Sequence, residues 1–180
     1  SLMVGKTVVG MQCYDLLRGF TFLSRHKDGH PMRIAILGKG TVGIAALMTS
    51  VLEPRIHKTA IESCLTSYMA MVRSRLHDGW TAAVLPGVLQ ETDLPALAAC
   101  LSPKPLWIVN PVSPTGILLP PVPAEKEYPF VAAAYQRQGK SSQLQYRYRL
   151  EEDTTVGAYK EWLAFDNPSV EYHKVALKHY

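Results

Sequence analysis

At 180 residues, 47% of them hydrophobic and 19% charged, the chain is long enough to bury one substantial core and too apolar to be a disordered tract. Its formal charge of +4 is spread without a Lys/Arg block, so neither a nucleic-acid nor a membrane partner is expected, and it contains no run of about 18 apolar residues that would cross a bilayer. Cys13, Cys64 and Cys100 are odd in number and lack C-x-x-C spacing, so they are expected as buried free thiols, not as a disulfide framework or a metal site.

The chain begins at Ser1 with no charged stretch leading into an apolar one, which suggests a fragment and assigns no compartment. Val9, Cys13, Leu16, Phe20 and Leu23 recur at spacings of four and three, predicting an amphipathic helix over 7–25 with Arg18 and Arg25 on its wet side. Lys27 to Pro31 stops it. Arg33 to Leu37 reads as a strand and 41–53 as a helix ended by Pro54, with Gly38-Lys39-Gly40-Thr41-Val42-Gly43 as the sharp turn between them. His57 to Glu62 is a second strand. Two further helical stretches follow, with Tyr68, Met69, Val72 and Leu76 on one apolar stripe. Asp93 stands as an N-cap before Leu94 to Ala99, with Pro95 in the first turn. Pro105 to Asn110 is a third strand, apolar throughout as a strand covered on both faces should be. Pro111 to Pro129 holds six prolines and is expected to wall or cover a site. Leu144, Tyr146, Tyr148 and Leu150 alternate with Gln145, Arg147 and Arg149, which predicts a half-wet fourth strand at a sheet edge, and a last helix covers Thr154 to Phe165. This alternation argues for one α/β domain over 1–180, with a mainly parallel sheet of about four strands, a core to residue 165 and a tail over 166–180.

The glycine turn has two readings. Taken literally it is G-x-G-x-x-G, in which Gly38, Gly40 and Gly43 would let a dinucleotide pyrophosphate approach a helix N-terminus, with Glu62, 24 positions after Gly38, meeting a ribose hydroxyl. Taken by position it is a nucleophile elbow, G-x-S-x-G, in which the serine has become Gly40 and the last glycine Val42.

The runs Met32 to Gly38, Leu52-Glu53-Pro54-Arg55-Ile56, Pro86 to Leu89, Thr92 to Pro95 and Pro103 to Pro111 together resemble the C-terminal half of an α/β-hydrolase. More narrowly, the chain is similar to the acetyl-xylan-esterase-like branch of bacterial carbohydrate esterases, over about residues 1–165. The resemblance implies strands five to eight of an eight-stranded sheet, an ester-hydrolase ancestry and a family often exported in bacteria. It places the catalytic serine on Gly40, which has no hydroxyl, and the acid near the uncharged Ser113. The histidine position falls within Glu151-Glu152-Asp153-Thr154, where there is none.

Other residues take bland roles more readily. His173 and His179 follow the last helix, and His26, His30, His57 and His77 belong to linkers or helix ends. Trp107 belongs in the core, and Ser63, Cys64 and Ser67 have no nearby histidine to activate them. Gly38, Lys39, Thr41, Glu62 and Asn110 are the positions expected to line a site. Glu62 serves either as a site carboxylate or as a partner for the following turn, and Lys39 either as an anion holder or as an exposed loop lysine. The expectation is therefore a degenerate α/β-hydrolase-like domain, non-catalytic, without cofactor or metal, acting as a structural or binding module. Its partner would be a second copy or a missing N-terminal half. The alternatives are a nucleotide-binding domain using Gly38, Gly40 and Gly43, and a fragment of an active carbohydrate esterase.

Overall fold

The computed structural model describes residues 5–25, 33–120, 126, 128–148 and 155–164. Thr7 caps the first helix: its hydroxyl accepts from the Gly10 amide at 3.1 Å, and this cap starts α1 (Val8–Ser24). The four-three spacing resolves as read, with Val9, Cys13 and Phe20 buried and Leu16 packed at the margin. Next comes β1 (Ala35–Lys39), two residues later than the apolar run 33–37 suggests. Gly38 and Lys39 stay in the ladder, opposite Ile61 and Glu62, so the turn contracts to Gly40 alone before α2 (Thr41–Leu52) begins. This helix is apolar on nearly every side because α1, β1, β2 and α5 surround it, and Gly43 through Leu47 are buried.

Among the described residues four parallel strands lie in chain order, β1-β2-β3-β4. β2 (Lys58–Glu62) and β3 (Leu106–Val109) are buried at every position, as interior strands of a parallel sheet must be. β2 starts one residue after the expected His57. β4 (Leu144–Arg147) is the predicted half-wet edge strand, and all four of its residues are half-buried. It ends before Tyr148, and Leu150 lies outside the described residues. β1 forms the other edge.

The remaining helices are short: α3 (Tyr68–Arg73), α4 (Val88–Glu91), α5 (Leu94–Ala99) and α6 (Pro129–Arg137), with 3-10 turns at 81–83 and 141–143. The apolar stripe through Tyr68 is not a core stripe. Tyr68 is buried and its hydroxyl donates to the Ala83 carbonyl, but α3 ends at Arg73 and Met69, Val72 and Leu76 are exposed. Helical spacing misled here because the six-residue helix turns Tyr68 and Met71 to the core and leaves Met69 and Val72 outside.

Polar contacts stitch the layers. Thr59 Oγ1 donates to Ser50 Oγ at 2.8 Å, joining β2 to α2, and Tyr135 donates to the Lys104 carbonyl at 2.6 Å. Lys104 Nζ reaches the Ser50 and Pro54 carbonyls at 3.2 and 3.4 Å, filling the acceptor-rich end of α2. Trp107 is fully buried, as expected. All three cysteines are free, with Cys13 and Cys64 buried, but Cys100 is exposed because α5 ends there. Residues 1–148 form one compact unit and 149–180 another, the latter containing α7 (Thr155–Ala164). No helix among the described residues is long and apolar enough to cross a membrane.

Candidate functional site

The carboxyl ends of β1, β2 and β3 each finish on a residue with positive φ: Gly40 at 60°, Ser63 at 49° and Asn110 at 46°. Outside glycine this conformation costs about 1–2 kcal/mol, and such strain concentrates at sites that position ligands. Nothing in sequence marked Ser63 for this role, and Asn110 was expected only as a lining residue.

Gly40 makes the first of these turns. With φ 60° and ψ −131° it is the hinge between the last residue of β1 and the first of α2. Its N–H donates to the Glu62 carbonyl at 2.8 Å and its own carbonyl accepts from the Gly43 amide at 3.1 Å. A Cβ built on Gly40 would meet no atom within 4 Å, so the hinge presents open space where a side chain would project. Gly38 and Gly43 are constrained instead: a Cβ on Gly38 would lie 2.7 Å from both Gly43 Cα and the Val42 carbonyl oxygen, and one on Gly43 would strike Cys64 Sγ. Both glycines therefore answer to strand–helix packing. Thr41, the first residue of α2, is half-buried beside the hinge.

Lys39 and Glu62 are register partners at the ends of β1 and β2, and their side chains pair at 3.6 Å. Glu62 is 8% exposed and Lys39 65%, so a nearly buried carboxylate is answered by a largely solvated ammonium. Lys39 is a strand residue, not a loop one. Below them Cys64 donates its thiol to the carbonyls of Gly40 and Glu62, both at 3.3 Å. Burial, followed by the nearby Glu62 charge, drives its pKa far up, so this sulfur is a protonated packing group and not a nucleophile.

Ser113 lies in the loop after β3, where its hydroxyl pairs with Thr115 and accepts from the Ile117 amide at 3.2 Å. It shapes that loop and offers no charge. The loop extends the sheet locally, through bridges of Val112 to Leu65 and Leu118. Ser67 caps α3 and donates to Asp93 at 2.5 Å, a helix-joining contact. A hollow of about 330 Å³ lined by Ser67, Met69, Ala70, Arg73, Ser74 and Pro114 opens where the segments after β2 and β3 meet. A second, of about 450 Å³, lies on α1 against Arg18, Thr21, Phe22 and Arg25. No group of three or more metal-ligating side chains occurs among the described residues. Glu151, Glu152, Asp153, Thr154, His26, His30, His173 and His179 lie outside them, while His57 precedes β2 and His77 is exposed after α3.

No protein-family model matches the chain, and no curated protein sequence matches it. Solved structures do. A glucuronoyl esterase of carbohydrate esterase family 15 from Caldicellulosiruptor kristjansonii superposes with a TM-score of 0.67 at 13% identity, covering 96% of this chain and 55% of that one. A candidate acetyl xylan esterase from Bacteroides fragilis gives 0.63 at 15%, covering 85% and 40%, and a methylesterase gives 0.62 at 18%, covering 89% and 36%. The fold is thus a partial α/β-hydrolase-type fold, with the sheet and flanking helices that the resemblance implied. The chain spans about half the length of the first of these structures and less of the other two.

Proposed function

We propose that this chain is an α/β-hydrolase-type domain that has lost ester hydrolysis and works as a binding or structural module. One observation carries the reading: the hinge between β1 and α2 has an elbow's geometry and open space, and its residue is Gly40. An acyl-enzyme needs a hydroxyl or thiol at that point. Polypeptide joined to either end would not change residue 40, so the same observation disfavours a segment that completes an active carbohydrate esterase. The uncharged Ser113 supports it from the acid's side.

A binding role draws support from the strained strand ends and the Glu62–Lys39 pair, which lie where open α/β sheets hold ligands. Dinucleotide binding is less favoured, because Gly38 and Gly43 are required by packing alone and Glu62 already faces Lys39. The test is hydrolysis of p-nitrophenyl acetate by the purified chain and by its Gly40→Ser variant. Both should match buffer, since a restored hydroxyl still lacks a base. Turnover by the parent chain would overturn the reading.

A further inference from the structure

Among the described residues, two non-glycine residues have positive φ, Ser63 at 49° and Asn110 at 46°. Each follows directly on an interior strand, Ser63 on β2 and Asn110 on β3, and the segments they launch leave the sheet side by side. The Ser63 amide donates to the Val109 carbonyl at 2.9 Å, the Val112 amide donates to the Cys64 carbonyl at 3.0 Å, and Leu65 bridges Val112. The first segment runs into α3 and the second into the loop at 113–117, and between them lies the hollow of about 330 Å³. Strain of this kind collects where a chain clamps a ligand. Both walls are anchored. Ser67 caps α3 and ties it to Asp93, while the Pro114 carbonyl accepts from the Asp78 amide and from Trp80 Nε1, both at 3.0 Å. The walls are this chain's own, and neither edge strand of the sheet lines the hollow. Its volume falls at the small end of the range for ligand pockets.

The groups lining it select a ligand. Arg73 is exposed, and its guanidinium is paired with no acceptor among the described residues. Ser74 donates its hydroxyl proton to the Leu76 carbonyl and Ser67 donates its own to Asp93, both at 2.5 Å, so toward a ligand each hydroxyl acts as an acceptor. Met69, Ala70 and Pro114 supply the apolar lining. Arg73 and Ser74 are consecutive, which sets a cationic fork beside a hydroxyl acceptor. We propose that the hollow binds a small α-hydroxy carboxylate with an apolar substituent. Its carboxylate meets the Arg73 guanidinium, its hydroxyl donates to Ser74 Oγ, and its substituent lies on Met69, Ala70 and Pro114. This gives the binding role proposed above a site and a ligand class, and it rests on that role and not on the loss of hydrolysis.

The test is calorimetric titration of the full chain with mandelate, with its uncharged amide, and with phenylacetate, which lacks the hydroxyl. Mandelate should bind one to one with a Kd of about 1 mM or tighter, the affinity of a small ligand in an open hollow. The amide should bind about tenfold more weakly, for want of the charged pair, and phenylacetate about threefold more weakly, for want of one hydrogen bond. Arg73→Gln should weaken mandelate about tenfold. Ser74→Ala should bring mandelate down to the level of phenylacetate and leave phenylacetate unchanged. Arg73 is exposed, so its replacement leaves the fold intact, and an unaltered unfolding midpoint checks this. No saturable heat with mandelate, equal binding of its amide, equal competition by sulfate, or undiminished binding by Arg73→Gln overturns the proposal. Such a failure leaves a structural role standing, whereas turnover of p-nitrophenyl acetate would strike the loss of hydrolysis without touching this site.

Discussion

Gly38 and Gly43 approach each other so closely that a Cβ on Gly43 would lie 2.8 Å from the Gly38 carbonyl oxygen and collide with Cys64 Sγ behind it. Gly40, between them, has room for a side chain and only a conformational penalty. Gly43→Ala should therefore cost about 3 kcal/mol through overpacking, and Gly40→Ser about 1 kcal/mol through its positive φ. Denaturant unfolding measures both. Equal losses at the two positions would contradict the packing described for this turn.

Asp93 holds two helices at once. Its carboxylate accepts from the Leu94 amide at 2.7 Å as the cap of α5, and from the Tyr68 amide at 2.7 Å and the Ser67 hydroxyl at 2.5 Å at the start of α3. Each helix has six residues, too few to persist without a tertiary anchor. Asp93→Ala should lower stability by about 2–3 kcal/mol, the loss of two caps. Ser67→Ala added to it should cost less than it does alone, because only its cap on the Ala70 amide is then left to lose. Additive losses in that thermodynamic cycle would refute the shared anchor.

Thiol chemistry separates the cysteines. Burial raises the pKa of both Cys13 and Cys64, whereas Cys100 is exposed. A disulfide reagent should label one thiol per native chain at neutral pH, at Cys100, and three only after unfolding. The same shifts set an alkaline limit. The thiols, together with Tyr68 and Tyr135, have pKa values raised mainly by burial, so the folded state holds its protons while the unfolded chain releases them. Stability is then full below the unfolded thiol value of about 8.5 and falls above it, by up to about 1.4 kcal/mol per pH unit for each group. An unfolding midpoint unchanged from pH 8 to 11 would contradict this.

Calorimetric titration with NAD, NADP or FAD should show no saturable heat. Micromolar binding abolished by Gly40→Val would instead restore the phosphate-cradle reading of the turn.

The sheet was legible because its signals are local: a fully apolar run makes an interior strand at Leu106–Val109, and alternating polarity makes an edge at Leu144–Arg147. The strand-to-helix hinge was legible for the same reason, though it falls at Gly40 and not across six residues. What escaped depends on distant partners. Asp93 read as the cap of one helix, while its bonds to Ser67 and Tyr68 cross about 25 positions. Met69, Val72 and Leu76 matched a helical stripe, but the chain turns away at Ser74 and leaves them in solvent. Lys39 read as a loop residue because its pairing with Glu62 exists only once β1 and β2 are in register.

The proposed absence of a working nucleophile is tested most directly by intact-mass spectrometry of the purified chain after treatment with a fluorophosphonate, which adds one covalent group to an activated serine and none to an idle one. The unmodified chain mass is the expected result. Stoichiometric addition at any serine, abolished by changing that serine to alanine, would show that a hydrolytic site survives and that Gly40 is not where the chemistry was lost.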